Sequence, residues 1–145
     1  MRIVVVRPDE YVDRVRSLAE AHWREVGFDF PFEPDVEAYQ RLSDAGVLFA
    51  LVAQEGDEIL GYCTVILSPH LFNRTVVVAA SDALFVTPSA RRSLVSGRLV
   101  HAAEDEARER GATRFAWHCR AGTPLAEMLR AHGYATVDEV VARAL

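Results

Sequence analysis

The sequence contains no lysine: arginine supplies all 16 basic residues, against 21 acidic ones, for a formal net charge of -5. That balance argues against general binding to a phosphate backbone, which needs an excess of positive charge, and it leaves the chain without a side-chain amine of its own. There are only two cysteines, Cys63 and Cys119, far apart inside apolar stretches and without CxxC or Cys/His ligand spacing. They read as reduced core residues, and no metal site is expected. No apolar run approaches the roughly 20 residues of a membrane-spanning helix. The opening, MRIVVVRPDE, is charged too soon for a secretion signal. The expectation is a soluble, cytoplasmic chain. Repeats, linkers and low-complexity tracts are also missing, and 145 residues, half of them hydrophobic, fit one domain, 1–145, that buries roughly 70% of its unfolded surface.

What is present alternates between two periodicities. Ile3 to Val6 form a short β-branched run ended by Arg7-Pro8, the pattern of a strand passing into a helix. Over 9–26, Val12, Val15, Leu18, Ala19 and Val26 recur at three- and four-residue steps, so one helix face is buried, with His22 on that stripe. Gly27 stops this helix. Residues 28–34, Phe-Asp-Phe-Pro-Phe-Glu-Pro, cannot continue it and form an aromatic loop. A second helix is expected over 35–45, stopped by Gly46, then strands over 47–53, 59–67 and 75–87 that make an antiparallel meander. Helices over 95–110 and 123–132, a strand over 112–119 and at least one closing strand within 134–145 complete the order. A meander followed by strand-helix units indicates an α+β sheet covered by helices.

The stretch richest in chemistry is 82–99, Asp-Ala-Leu-Phe-Val-Thr-Pro-Ser-Ala-Arg-Arg-Ser-Leu-Val-Ser-Gly-Arg-Leu. A strand runs through a short arginine-bearing loop into a helix, so loop N–H groups and the helix start converge where an anion fits. Arg91 and Arg92 add charge-assisted donors for phosphate oxygens. Taken alone, the same residues also describe a helix start with solvated arginines. The segment resembles motif A of the GNAT superfamily, the acyl-CoA N-acyltransferases, in which Val-x-Pro-x-x-Arg is followed by the rest of Arg/Gln-x-x-Gly-x-Gly/Ala. Gly111 closes the next helix at the expected distance, Phe115-Ala116-Trp117 lies on the next strand, and Ala131-His132-Gly133-Tyr134 is similar to the family's ending of the last helix. With the meander, the resemblance covers nearly the whole chain, and its element order is closest to phage-encoded GNAT proteins.

This resemblance implies an α+β fold: a GNAT-like mixed, mostly antiparallel sheet of six or seven strands, flanked by four helices and splayed between strands 4 and 5. Acetyl-CoA, the implied co-substrate, enters the splay. Its pantetheine arm pairs along Leu84, Phe85 and Val86, and its pyrophosphate rests on the N–H groups of Ser93, Leu94, Val95, Ser96 and Gly97, aided by Arg91 and Arg92. A backbone N–H of Phe85 or Val86 stabilises the oxyanion. Asp82 stands where family members frequently carry an acidic residue that manages the acceptor's proton. Strand alternation puts it on one face with Val76, Val78, Ala80, Leu84 and Val86, where a buried carboxylate needs a partner. The other reading of Asp82 is a strand-edge carboxylate that caps nearby backbone.

For the acceptor, a small-molecule or peptide amine, the candidate contacts are His22 and Glu25 on one helix face, Phe28, Phe30 and Phe32 of the aromatic loop, His70 in a turn and His118 near a strand end. Each histidine also has a plain core or surface reading. His101 and His132 fall on helix surfaces, and no pair among the five histidines has metal-ligand spacing with a third ligand. Neither a nucleic-acid nor a membrane partner is expected, and a homodimer is compatible with the sequence.

Two positions depart from the family pattern. With Arg91 as the motif arginine, the glycine positions fall on Leu94 and Ser96; with Arg92 they fall on Val95 and Gly97. Either register loses at least one glycine, which bears on how closely the backbone approaches a pyrophosphate. Leu129 stands where many members carry the tyrosine that protonates the leaving thiolate, Gly122 where many carry asparagine, and Tyr134 in place of a core phenylalanine. A CoA thiol is acidic enough to leave as thiolate and take its proton from water. The function implied is N-acetyl transfer to an amine by direct attack, without a covalent enzyme intermediate. The alternatives are a domain that binds acyl-CoA as a sensor or assembly partner without turnover, and a GNAT-like fold that has lost CoA.

Overall fold

β-branched and aromatic runs set the five strands of the computed structural model, which describes residues 1–145 with the side chains of Pro8 and Asp9 excepted. Strands β1 (Arg2–Val6), β2 (Leu48–Glu55), β3 (Glu58–His70), β4 (Asn73–Val86) and β5 (Arg114–Ala116) lie in chain order in one sheet. The first four pair antiparallel, and β5 runs parallel to β4. Helices α1 (Pro8–Val26) and α2 (Val36–Asp44) lie between β1 and β2, α3 (Val95–Glu109) follows β4, and α4 (Pro124–Ala131) follows β5.

The sheet is covered on both faces, so β2 reads as a continuous apolar run, buried from Leu48 to Gln54. Phe49, Leu51, Ala53, Cys63, Val65 and Ala79 form one core with Val95, Leu99, Ala103 and Ala107 of α3. Ala50, Val52, Tyr62 and Phe85 form the other with Tyr11, Val12 and Val15 of α1. Each large aliphatic side chain buried in this way contributes about 1.5–3 kcal/mol.

The bulge in β4 positions the chemistry. Thr64 of β3 pairs with Ala83 and Val65 with Ser81, so Asp82 is the extra residue between them. Alternation therefore reverses there. Val77 and Ala79 before the bulge, and Leu84 and Val86 after it, all pack toward α3, while Ala83 and Phe85 turn toward α1. This corrects the expected single face shared by Val78, Asp82 and Val86, and Asp82 is exposed instead of buried.

β4 and β5 pair only over 78–80 with 114–116. Beyond Ala116 the Ser81 hydroxyl takes the His118 N–H at 2.8 Å in place of a backbone carbonyl, and the two chains separate. The expected splay is present. The strand count differs: the sheet has five strands, not six or seven, and residues 134–145 form no strand. Within that segment Val137, Val140 and Val141 are exposed, so its apolar positions have no sheet face to cover. Tyr134 alone is anchored, its hydroxyl donating to Glu104 of α3 at 2.7 Å.

Candidate active site

Phe85 is the centre of the site. Its ring stacks on His22 of α1 with centroids 5.0 Å apart, the Tyr62 ring lies 6.1 Å away, and the Arg91 guanidinium sits 5.2 Å over its face. His22 reaches the sheet because it continues the α1 stripe of Tyr11, Val15 and Leu18. Its Nδ1 lies 2.8 Å from the Tyr62 hydroxyl. Two residues along the same face of β3, Thr64 donates its hydroxyl to Asp82 Oδ2 at 3.2 Å. Neighbouring β3 hydroxyls thus hold an imidazole and a carboxylate side by side.

Burial lowers the pKa of His22 below its ordinary value; Glu25 and Asp82 oppose the change, and Arg120 and Arg91 reinforce it. The ring is therefore neutral at pH 7. Burial, with Asp82 acting in the same direction, raises the pKa values of Tyr11, Tyr39 and Tyr62, so these phenols keep their protons. Burial and Asp82 also push the Cys63 thiol up, and Cys119 is raised mainly by burial, which leaves neither sulfur poised as a nucleophile.

Glu25 binds Arg91 Nη2 at 2.6 Å, and Arg91 Nε donates to the Val86 carbonyl at 2.9 Å. Arg91 is therefore turned toward α1 and the end of β4, while Arg92 is exposed beside it. The β4 edge can be read by alternation. The Thr87 N–H bonds the Leu60 carbonyl of β3 at 2.9 Å, so Phe85 also points its backbone groups at β3, and Leu84 and Val86 point theirs into the splay. Of the two N–H groups expected to face an oxyanion, the ladder consumes that of Phe85, and Val86 offers its own.

The start of α3 keeps only part of its donors: in the turn before it the Ser93 N–H, expected on the pyrophosphate, bonds the Ala90 carbonyl at 3.1 Å. Arg98 is the first residue of the helix to bond backward, to the Leu94 carbonyl at 3.0 Å, which leaves the Ser96 and Gly97 N–H groups in the unpaired first turn. Val95 N–H is covered by the Ser93 hydroxyl at 3.3 Å. At the motif-glycine positions Leu94 is exposed, pointing out of the core, and Ser96 is half-buried.

The aromatic loop lies across α1. Phe28 and Phe30 stack at 4.7 Å, Arg120 lies 5.7 Å over Phe28, and Phe32 packs against Trp23. Arg120 links this loop to the chain leaving β5, where His118 is exposed. His70 is not brought in. It pairs with Asn73 at the opposite end of β4, nine residues from Asp82, or about 30 Å along the strand. Its ring faces Phe72, and its Nδ1 accepts the Phe72 N–H. Tyr134 is engaged elsewhere too, its pKa pushed up to about 12 by burial and by Glu104. Among the described residues no cluster of His, Cys, Asp or Glu is arranged to hold a metal.

Sequence reasoning missed Tyr11, Tyr39, Tyr62, Thr64 and Arg120. Tyr11 lies on the α1 stripe, and Tyr62 and Thr64 alternate on β3; hydroxyls at core-facing positions were the available signal.

A sequence model described as the acetyltransferase (GNAT) family matches residues 15–134. The chain belongs to the GNAT acetyltransferase family. Members of this family use acetyl-CoA as acetyl donor. Solved structures share the GNAT fold. An aminoglycoside acetyltransferase from an uncultured soil metagenomic sample, in complex with sisomicin, is 18% identical over 99% of this chain and 94% of its own, with a TM-score of 0.78. The ribosomal-protein-alanine N-acetyltransferase of Brucella melitensis is 15% identical over 99% and 100%, with a TM-score of 0.76. The aminoglycoside acetyltransferase AAC(6')-Iy, bound to a CoA bisubstrate analogue, is 17% identical over 99% and 97%, with a TM-score of 0.77. No protein of curated function matches the sequence. These comparisons support the GNAT family and do not single out a phage group within it. Among the described residues, no helix of this GNAT chain is long and apolar enough to cross a membrane.

Proposed function

We propose that this GNAT protein transfers an acetyl group from acetyl-CoA to a primary amine by direct attack. The observation that carries the reading is the β4 bulge, which presents the Asp82 carboxylate next to an open strand edge and a splay. The site residues fit the co-substrate. Leu84 and Val86 offer backbone groups to the pantetheine amides, and the first turn of α3, with Arg92, offers donors to the pyrophosphate. Arg91 Nε already occupies the Val86 carbonyl on the splay side, so Val86 offers its N–H and Leu84 both of its backbone groups.

An amine of pKa near 10 is protonated at neutral pH. Asp82, held by Thr64, attracts the ammonium and passes one proton to water, leaving a lone pair free to attack the thioester carbon. The Val86 N–H faces the oxygen on which charge develops. Phe28, Phe30, His22 and Arg120 border the acceptor side, and the exposed phenylalanine rings suit an acceptor with apolar surface next to its amine. Mass spectrometry of the acetylated product, with acetyl-CoA and a panel of aliphatic, aromatic and peptide amines, tests the reading. Acetylated amine supports it; a protein that binds acetyl-CoA but acetylates none of them is the acyl-CoA sensor or assembly partner instead.

A further inference from the structure

After the amine attacks, its nitrogen carries a second proton that must leave before the C–S bond breaks, and the sulfur that departs needs one. The usual tyrosine acid of the family is missing: its position is Leu129, buried in α4. The one hydroxyl of residues 129–134 that is well placed in the fold, that of Tyr134, is bound to Glu104. Two groups able to carry protons flank Phe85 on the α1 face, Asp82 and His22, and they differ in kind. Asp82 is exposed and fixed by Thr64. His22 is half-buried, stacked on the Phe85 ring and held by a phenol that burial keeps protonated.

We propose that His22, positioned by Tyr62, is the acid–base residue that takes the second proton from the attacking nitrogen and returns it to the CoA thiolate. The inference rests on the acetyl-transfer reading above. With its hydrogen on Nδ1, His22 donates to the Tyr62 oxygen and keeps the Nε2 lone pair for the amine. The balance is closed. The C–N bond forms, Nε2 accepts the N–H proton, the C–S bond breaks with its electron pair on sulfur, and the imidazolium gives its proton to that sulfur to regenerate neutral His22 and CoA thiol. The Nδ1–H bond to Tyr62 persists in the imidazolium, so Tyr62 stabilises the charged intermediate state. One imidazole then performs the work that the family divides between a base and a tyrosine.

The groups facing His22 are Glu25 on its own helix, Tyr62 on β3, Asp82 on β4, Arg91 in the turn after β4 and Arg120 after β5. Their charges are mixed, and burial dominates, so the ring becomes protonated only below its ordinary range.

The test is kcat/KM against pH for the best amine of the panel, with acetyl-CoA affinity by calorimetry as the folding control. Wild type should lose activity in acid along a limb below pH 6.5. His22→Gln should lower turnover about 10²-fold to 10⁴-fold, the span for loss of an acid–base group, and abolish that limb, with acetyl-CoA affinity unchanged. Tyr62→Phe removes the acceptor of the Nδ1–H bond and should move the limb to lower pH by about one unit. Wild-type turnover and an unaltered limb in His22→Gln would overturn the role of His22 while leaving acetyl transfer standing. If His22→Gln fails to bind acetyl-CoA, Tyr62→Phe decides, and an unmoved limb counts against the proposal. A wild type that binds acetyl-CoA but releases no thiol with any amine overturns acetyl transfer itself, and this inference with it.

Discussion

Gly61→Ala tests the geometry that joins fold to site. Gly61 pairs with Val86, and a Cβ built on it would lie 2.7 Å from the Phe85 carbonyl oxygen, 3.1 Å from Val86 Cγ2 and 3.2 Å from Leu99 Cδ1. The first of these is backbone, so it cannot rotate away. β3 and β4 must separate, and the fully buried Leu99 of α3 must give way as well. Overpacking of this kind costs about 1–3 kcal/mol, and at this chain length each kcal/mol lowers Tm by roughly 2–5 °C. The same displacement moves the Val86 N–H and carbonyl that face the splay, so acetyl-CoA affinity should fall with stability. Thermal denaturation by circular dichroism and calorimetry with acetyl-CoA read the two effects. An alanine variant with wild-type Tm and wild-type affinity would refute both the close approach and the use of this edge.

Arg91→Ala should weaken CoA and pantetheine alike in calorimetry, because Arg91 props the Val86 carbonyl, whereas Arg92→Ala should weaken CoA alone; a loss confined to CoA in Arg91→Ala would put its guanidinium on the pyrophosphate. His22 is harder to protonate in the fold than in the unfolded chain, so the unfolded state binds more protons in acid. Its contribution to stability is complete above pH 6.5 and is lost as pH falls below that value; urea unfolding at pH 7.5 and 5 should show the drop, and His22→Gln should flatten it. Tyr134→Phe removes the bond to Glu104 and should cost about 1–2 kcal/mol in urea unfolding without altering the pH–rate profile; a changed profile would bring Tyr134 into the chemistry.

The element order was legible because each helix carries an apolar stripe and each strand a β-branched run, and the strand-loop-helix stretch 82–99 carried the family on its own residue spacing. Asp82 was found by position, but its environment was not: alternation assumes an unbroken ladder, and no residue type marks the bulge that turns it outward. Arg91 shows a second limit. Its charge was plain, yet its partners, Glu25 and the Val86 carbonyl, lie 66 and 5 residues away in the chain. The His22 stripe was visible at helical spacing, while its contact with Tyr62, 40 residues on, depends on the register of β3 beneath α1. Residues 134–145 have β-prone composition, but pairing needs a partner edge as well as propensity.

The most direct test of acetyl transfer at this site is thiol release from acetyl-CoA, followed as kcat/KM against pH for wild type and Asp82→Asn with the best amine acceptor. The substitution keeps the size of the side chain and removes the charge that attracts the ammonium. It should lower turnover at neutral pH by about 10²-fold to 10⁴-fold and recover part of it at high pH, where more amine is free, while acetyl-CoA affinity stays at the wild-type value. Equal turnover of the two proteins across the pH range would contradict the account, because the carboxylate at the β4 bulge would then have no part in the reaction.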